Sequence, residues 1–166
     1  MNKFTKEWIE KAEGDYLIIS KLKPELEPVW GVCFHAQQCV EKYLKAILQE
    51  NNREFKRVHD LKPLLEDCTG FIPELQNHEE KIRDLSNYAV EERYPGSGAS
   101  KKEAQEAILA TEEIRKVIRK YFGLSIKQQA EQKVEQQKAN TQELKQDRGQ
   151  NIKETQDVHH DRGRHR

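Results

Sequence analysis

One group of polar residues falls on a single strip of a predicted helix, beside its apolar face. His35, Gln38, Lys42 and Lys45 recur at intervals of three and four residues, so a helix presents one imidazole, one amide and two ammonium groups in one direction. Such a strip could hold a phosphate or the edge of a base. The spacing by itself favours an ordinary solvated flank, because Glu41 stands four residues before Lys45 and can pair with it.

A second group combines arginine and tyrosine around a predicted helix end and loop. Arg83 and Tyr88 come before the loop, and Arg93 and Tyr94 stand where it begins, just before Pro95. Guanidinium groups can bind phosphate through two parallel hydrogen bonds, and aromatic rings can stack on a base. A structural role fits equally well, since Arg83 could pair with a glutamate one turn earlier and the tyrosines could pad the core.

A third motif, Val58-His59-Asp60-Leu61, stands just before a predicted short helix. Aspartate is favoured at the residue that caps a helix N-terminus, so a structural role is sufficient for Asp60. His59 could close the turn before this helix or point at the helix that carries His35. Both placements remain open on the sequence alone.

An aromatic residue adds a different kind of signal to the helix that carries the polar strip. Phe34 stands nearly opposite the apolar stripe of this helix, close to Gln38 and Glu41. A large aromatic side chain on an outer face suggests a second contact surface, such as a subunit interface.

All of these residues must be positioned by helices, because apolar residues recur with helical spacing throughout the chain. The strongest stripe runs through Val29, Val32, Ala36, Val40, Tyr43 and Ile47. Five helices are predicted, over residues 4–22, 29–51, 60–68, 73–92 and 101–122. Short connections favour antiparallel neighbours, so the predicted fold is all-α, an up-and-down bundle of four long helices plus one short helix.

Several helix ends and inward-facing residues follow from local signals. Thr5 is the predicted N-cap of the first helix, whose apolar face is expected to include Phe4. Ser100 and Glu103 form a predicted capping box at the start of the last helix, which is expected to turn Tyr121 inward.

Composition and charge exclude several classes of function. The 29 basic and 29 acidic residues give a formal net charge of zero, so no global field draws the chain onto nucleic acid or an anionic membrane. No apolar run reaches the length of a membrane span, and the N-terminus lacks the apolar stretch of a signal peptide. The three cysteines lack metal-ligand spacing and fit buried reduced thiols. A cytoplasmic protein without metal or cofactor is predicted.

The C-terminal residues differ in composition from the rest of the chain. Residues 125–166 are rich in glutamine, lysine and glutamate and lack an apolar stripe, which predicts a helical domain over 1–124 and a disordered or loosely helical tail over 125–166.

Truncation after Leu124 is therefore expected to leave the thermal midpoint nearly unchanged, because the tail has no apolar face to bury. Differential scanning calorimetry of the full and truncated chains measures this. A large drop in the midpoint would mean that the tail packs on the bundle.

Taken together, the motifs resemble those of the HEPN domain family, named for higher eukaryotes and prokaryotes nucleotide-binding domains. The resemblance covers about residues 4–122 and does not extend to the tail. It is carried by Phe34-His35-Ala36-Gln37-Gln38-Cys39-Val40-Glu41-Lys42-Tyr43-Leu44-Lys45-Ala46, by His59-Asp60-Leu61, by Arg93-Tyr94-Pro95-Gly96 and by Trp8-Ile9-x-x-Ala12-x-x-Asp15-Tyr16.

The resemblance implies a helical bundle, often dimeric and often encoded beside a small nucleotidyltransferase, as in toxin–antitoxin modules. Many similar domains are metal-independent ribonucleases that carry an arginine, a polar residue, a short spacer and a histidine. The nearest match here is Arg83-Asp84-Leu85-Ser86-Asn87-Tyr88, with tyrosine in place of histidine. A phenol with a pKa near about 10 exchanges protons poorly at neutral pH.

These observations lead to one main hypothesis and two alternatives. The main hypothesis is a dimeric nucleotide- or RNA-phosphate-binding module that acts with a nucleotidyltransferase partner. Its candidate ligand-binding residues are His35, Gln38, Lys42, His59, Arg83, Tyr88, Arg93 and Tyr94. The first alternative is a ribonuclease with an altered site, in which Arg83, Asp84, Tyr88 and His35 would act. The second is a structural adaptor without ligand.

Overall fold

A computed structural model of the chain describes residues 1–55, 59–88 and 98–124. Over these ranges the secondary structure is helical, which confirms the all-α prediction. The elements are α1 (Lys3–Leu22), α2 (Val29–Glu50), α3 (Leu61–Thr69), a 3-10 turn (Pro73–His78), α4 (Glu79–Asn87) and α5 (Lys101–Tyr121). They belong to one unit, Met1–Gly123. The predicted tail, 125–166, lies outside the described residues.

The first helix begins earlier than its predicted cap. Asn2 is the N-cap, and its side chain accepts a hydrogen bond from the backbone N–H of Thr5 at 2.9 Å. Thr5 therefore lies inside the helix, where it is fully buried, and Phe4 is 61% exposed. The predictions for Thr5 and Phe4 were both wrong, because Asn2 supplies the capping oxygen and so sets where the helix starts.

The second helix is the centre of the bundle, and it packs against α1, α3, α4 and α5. Its apolar stripe is buried from Val32 to Ile47, whereas Val29, the first residue of the helix, is half-buried. The N-terminus of α1 lies beside the C-terminus of α2, where the backbone N–H of Asn2 donates to Glu50 Oε2 at 3.0 Å. The two helices are thus antiparallel neighbours.

The third helix is tied to the fourth through its own cap. The Asp60 side chain accepts from the backbone N–H of Lys62 at 3.0 Å, which confirms Asp60 as the N-cap of α3. Ser86 on α4 donates its hydroxyl to Asp60 Oδ1 at 3.1 Å and accepts from the backbone N–H of Leu61 at 2.9 Å. One hydroxyl therefore fixes the start of α3 against the end of α4.

The predicted helix over 73–92 is divided in the structure. Its first part is a 3-10 turn, in which the backbone N–H of Leu75 donates to the carbonyl of Ile72 at 3.1 Å. Pro73 has no N–H and Ile72 supplies no capping side chain, so this segment starts with tight i-to-i+3 bonds. The regular helix follows from Glu79 to Asn87.

The last helix starts with the predicted capping box. The backbone N–H of Glu103 donates to Ser100 Oγ at 3.2 Å, and the backbone N–H of Ser100 donates to Glu103 Oε2 at 2.7 Å. The inward placement of Tyr121 was wrong, since this residue is 39% exposed. It is the final residue of α5, and its hydroxyl accepts from Asn51 Nδ2 at 3.0 Å instead of entering the core.

All three cysteines are buried and free, as predicted. Burial raises the pKa of the Cys39 and Cys68 thiols, and Cys68 donates its thiol hydrogen to the carbonyl of Leu44. Among the described helices, none combines the length and the apolar content that crossing a membrane requires.

Candidate functional site

The polar strip on α2 faces a buried carboxylate of α1. His35 Nδ1 lies 2.9 Å from Asp15 Oδ1, and Lys42 donates to the other Asp15 oxygen. Asp15 is buried, whereas His35 and Lys42 keep about a quarter and a fifth of their side chains exposed. Asp15 therefore offsets the charge of Lys42 and orients the His35 ring.

The other half of the strip converges on Glu41. Lys45 Nζ donates to Glu41 Oε1 at 2.6 Å, and Gln37 Nε2 donates to Oε2 at 2.9 Å. Gln38 donates to Gln37 Oε1 at 2.7 Å. Burial raises the pKa of Glu41, but the hydrogen bonds from Lys45 and Gln37 lower it more, so the net shift is downward. The predicted pair of Glu41 and Lys45 is present.

The interpretation of this flank as solvated was wrong, because Glu41 and Lys45 are both buried. Residues from other parts of the chain cover them. The ammonium of Lys45 lies 5.5 Å from the ring centroid of Trp8, and the Trp8 ring meets Phe55 edge-on at 6.0 Å. Helical spacing could not show this cover, since Trp8 comes from α1 and Phe55 from beyond α2.

A third network joins α1 to α5, and the sequence did not predict it. Glu13 accepts two hydrogen bonds from Arg115, at 3.1 and 2.7 Å, and one from Arg119 at 2.5 Å. The hydroxyl of Tyr43 also donates to Glu13, and the Arg115 guanidinium lies 4.0 Å from the ring centroid of Tyr16. Two nearly buried guanidinium groups thus share one carboxylate.

The ionisation of this network follows from its contacts. Burial raises the pKa of Glu13, but the hydrogen bonds from Arg115 and Tyr43 outweigh burial and the net shift is downward. For Arg115, burial lowers the pKa and Glu13 raises it, with a net upward shift. The carboxylate and the guanidinium are therefore both held in their charged forms.

His59 connects the α2 network to α3. Its carbonyl accepts from Gln37 Nε2 at 3.0 Å, and its Nδ1 lies 3.3 Å from Glu41 Oε2. Both contacts reach α2, so His59 points at the helix that carries His35, which is one of its two open placements. Asp60, the next residue in the chain, accepts a hydrogen bond from Ser86 on α4. Polar contacts therefore lead from Glu41 through His59 and Asp60 to α4.

The arginine and tyrosine group lies at the other end of this path. Arg83 is 63% exposed, and its guanidinium is 3.6 Å from Glu80 Oε1 and 3.9 Å from Asp84 Oδ1. The suggested structural partner, Glu79, is thus replaced by Glu80 and Asp84. Tyr88 follows α4 and is half-buried. Arg93 and Tyr94 lie outside the described residues.

A groove of about 490 Å³ runs between α4 and α5 beside this group. Its lining consists of Lys81, Asp84, Leu85, Asn87, Tyr88, Glu103, Glu106, Ala107, Leu109, Ala110 and Glu113. Asp84 and Tyr88 thus share one surface, and Arg83 is outside this lining. Four acidic side chains and one lysine give the groove an acidic rim.

The predicted residues therefore form two groups linked through His59, not one site. His35, Gln38, Lys42 and His59 belong to the networks of Asp15 and Glu41. Arg83, Asp84 and Tyr88 lie at the end of α4. Of the residues missed, Asp15 carried a detectable signal: it continues the buried positions Ala12 and Ile19 on one face of α1, where an unpaired carboxylate is unfavourable.

Comparisons with known proteins were made for the whole chain. The sequence model of a family described as HEPN domain matches residues 5–121. A solved structure, described as the crystal structure of TT1696 from Thermus thermophilus, superposes with a TM-score of 0.63 at 21% sequence identity. The match covers 73% of this chain and 99% of that chain, and it supports the fold alone. The search of curated proteins gave no match.

Proposed function

This chain belongs to the HEPN domain family, and from that membership we propose that it is a nucleotide- or RNA-phosphate-binding module acting in the cytoplasm. The family match over residues 5–121 is the observation that carries the proposal, because it spans every described helix. The proposed site takes Arg83 as its first phosphate contact, with Arg93 and Tyr94 as further contacts from about ten residues later in the sequence.

The charges of the described residues support this choice of Arg83. Its contacts with Glu80 and Asp84 are long and exposed, and such pairs contribute little, so a phosphate can replace them. Lys42 is held by the buried Asp15, which lowers the gain from an added phosphate. His35, Gln38 and His59 are further proposed contacts, beside Asp15 and Glu41, and Tyr88 caps the C-terminus of the helix that carries Arg83.

Arg83→Ala and Arg93→Ala should each weaken binding of a labelled single-stranded RNA. In each variant the slope of log K against log salt should become shallower by about one. Lys138→Ala in the tail is the control and should leave the affinity unchanged. Fluorescence anisotropy at several salt concentrations measures both effects. Equal loss in all three variants would contradict a site at Arg83.

The same preparation separates binding from catalysis. The unmodified protein should bind RNA without cleaving it at neutral pH, because Tyr88 stands where the ribonuclease histidine is expected. Cleavage that disappears in Arg83→Ala or His35→Ala would replace the binding module with a ribonuclease. If the protein neither cleaves RNA nor binds a nucleotide at millimolar concentration, the structural adaptor is the hypothesis that remains.

The proposed assembly is a homodimer that works with a small nucleotidyltransferase, as in a toxin–antitoxin pair. An aromatic surface on α2 supports the dimer. Trp30 is 57% exposed, and half-buried Phe34 follows one helical turn later, with its ring edge-on to His35 at 5.4 Å.

Phe34→Glu should shift a dimer towards monomer, because it places a charge in an apolar contact. Light scattering measures the mass before and after the change, and Lys62→Glu, at an exposed position of α3, is the control. A monomeric mass in the unmodified protein would contradict the homodimer.

A further inference from the structure

The groove between α4 and α5 combines an apolar floor with a charged rim. The floor is formed by the buried side chains of Leu85, Ala107 and Ala110. Leu109 also lines the groove, and it is about half exposed. The volume, about 490 Å³, is enough for a few side chains of a partner but not for a whole helix.

The rim carries an excess of negative charge. The described part of its lining contributes four carboxylates, from Asp84, Glu103, Glu106 and Glu113, and one ammonium, from Lys81, which pairs with Glu113. The described cations that contact Asp84 and Glu106 are distant from them, at 3.9 Å from Arg83 to Asp84 and 3.8 Å from Lys102 to Glu106. Glu106 and Asp84 therefore remain available to a cation from another molecule.

This charge excludes one class of ligand and favours another. A phosphate placed in the groove would meet several carboxylates at short range, so a nucleotide or RNA is repelled there. A segment that carries lysine or arginine beside an apolar side chain matches both the rim and the floor. Grooves that accept the apolar face of an amphipathic helix are a recurrent mode of peptide recognition.

We propose that the α4/α5 groove docks a basic amphipathic segment of another protein, with an apolar side chain against Leu109 and the alanine floor and with cations on Glu106 and Asp84. The docking site does not use the proposed phosphate contacts of Arg83, so either proposal can fail without the other. It supplies a surface through which a protein partner can be held beside the end of α4.

The test uses the full chain and two fluorescein-labelled helical peptides. One peptide is built of leucine, alanine and lysine, and the other has glutamate in place of every lysine. The lysine peptide should bind and the glutamate peptide should not, as followed by fluorescence anisotropy. Equal binding of both peptides would overturn the role of the acidic rim.

Two pairs of variants locate the binding. Glu106→Lys should lower the affinity for the lysine peptide by roughly threefold to tenfold, the range expected for reversing one exposed charge. Its control is Glu7→Lys on α1, since Glu7 is also exposed and also contacts a lysine four residues earlier. Leu109→Asn should weaken the peptide similarly, with Leu17→Asn on α1 as the control for an exposed leucine.

Three results would overturn the proposal. The first is that the groove variants and their controls behave alike. The second is that the chain associates with itself through Glu106 and Leu109 and binds neither peptide, which would make the groove a subunit interface. The third is that RNA binding depends on Leu109, which would make the groove a nucleic-acid site. Each variant should melt at the midpoint temperature of the unmodified protein, which checks that these substitutions of exposed residues leave the fold intact.

Discussion

Replacing Glu13 with glutamine should lower the free energy of unfolding by about 3–5 kcal/mol. Glutamine keeps the size of the side chain but removes the charge that Arg115 and Arg119 share. Both guanidinium groups are buried, and each would lose its contact with that charge in a poorly solvated place. A small domain has only about 5–15 kcal/mol in total.

The matched control for this change is Glu10→Gln on the exposed side of the same helix, which should change stability by less than about 0.5 kcal/mol. Chemical denaturation of the unmodified protein and the two variants provides the comparison. Similar free energies for all three would show that water already solvates the guanidinium groups, and the network would then have no structural importance.

Replacing Glu41 with glutamine should cost about 3 kcal/mol at neutral pH and should also make stability less sensitive to acid. The change leaves the buried ammonium of Lys45 without its carboxylate and weakens the contact with His59. The α2 network would thus lose its central acceptor, and the path of contacts towards α4 would be interrupted where it begins.

The direction of the pH effect follows from the lowered pKa of Glu41. In the unfolded chain the carboxyl titrates near its ordinary value of 4.5, and in the folded protein it titrates below that value. Its contribution is therefore complete above about pH 4.5 and is lost as the pH falls through the folded pKa. The difference in the free energy of unfolding between the unmodified protein and Glu41→Gln should become smaller as the pH falls over that range.

Denaturation curves for both proteins at several pH values between about 7 and about 3 measure this gap. The Glu41→Gln variant should itself still lose some stability in acid, because the pKa of Glu13 is lowered as well. A gap that stays constant across the range would mean that the charge of Glu41 does not contribute to folding.

The helices were predictable because their signals are local. The stripe on α2 and the capping box of Ser100 and Glu103 need only residues three or four positions apart. The same range covers the pair of Glu41 and Lys45, which was predicted correctly as a contact. The burial of this pair was not predictable, because Trp8, which covers Lys45, stands 37 positions before it in the sequence.

The contacts of the candidate site residues were predictable only where the partners are close in the sequence. The contact of Glu13 with Arg115 spans 102 positions, so no local spacing can indicate it. His35 and Lys42 were grouped correctly on one strip, yet the carboxylate that joins them belongs to another helix. The acidic groove arises because α4 and α5 meet side by side, and neither helix alone suggests it.

The three buried cysteines can be used to measure how often α2 and α3 open transiently. Alkylating reagents attack the thiolate, and burial both shields Cys39 and Cys68 and keeps them protonated. A reagent can therefore reach a cysteine only while the surrounding helices are transiently open, so the labelling rate measures how often each region opens. Cys33 and Cys39 sample α2, and Cys68 samples α3. The natural sequence thus contains its own probes of local unfolding, without an introduced label.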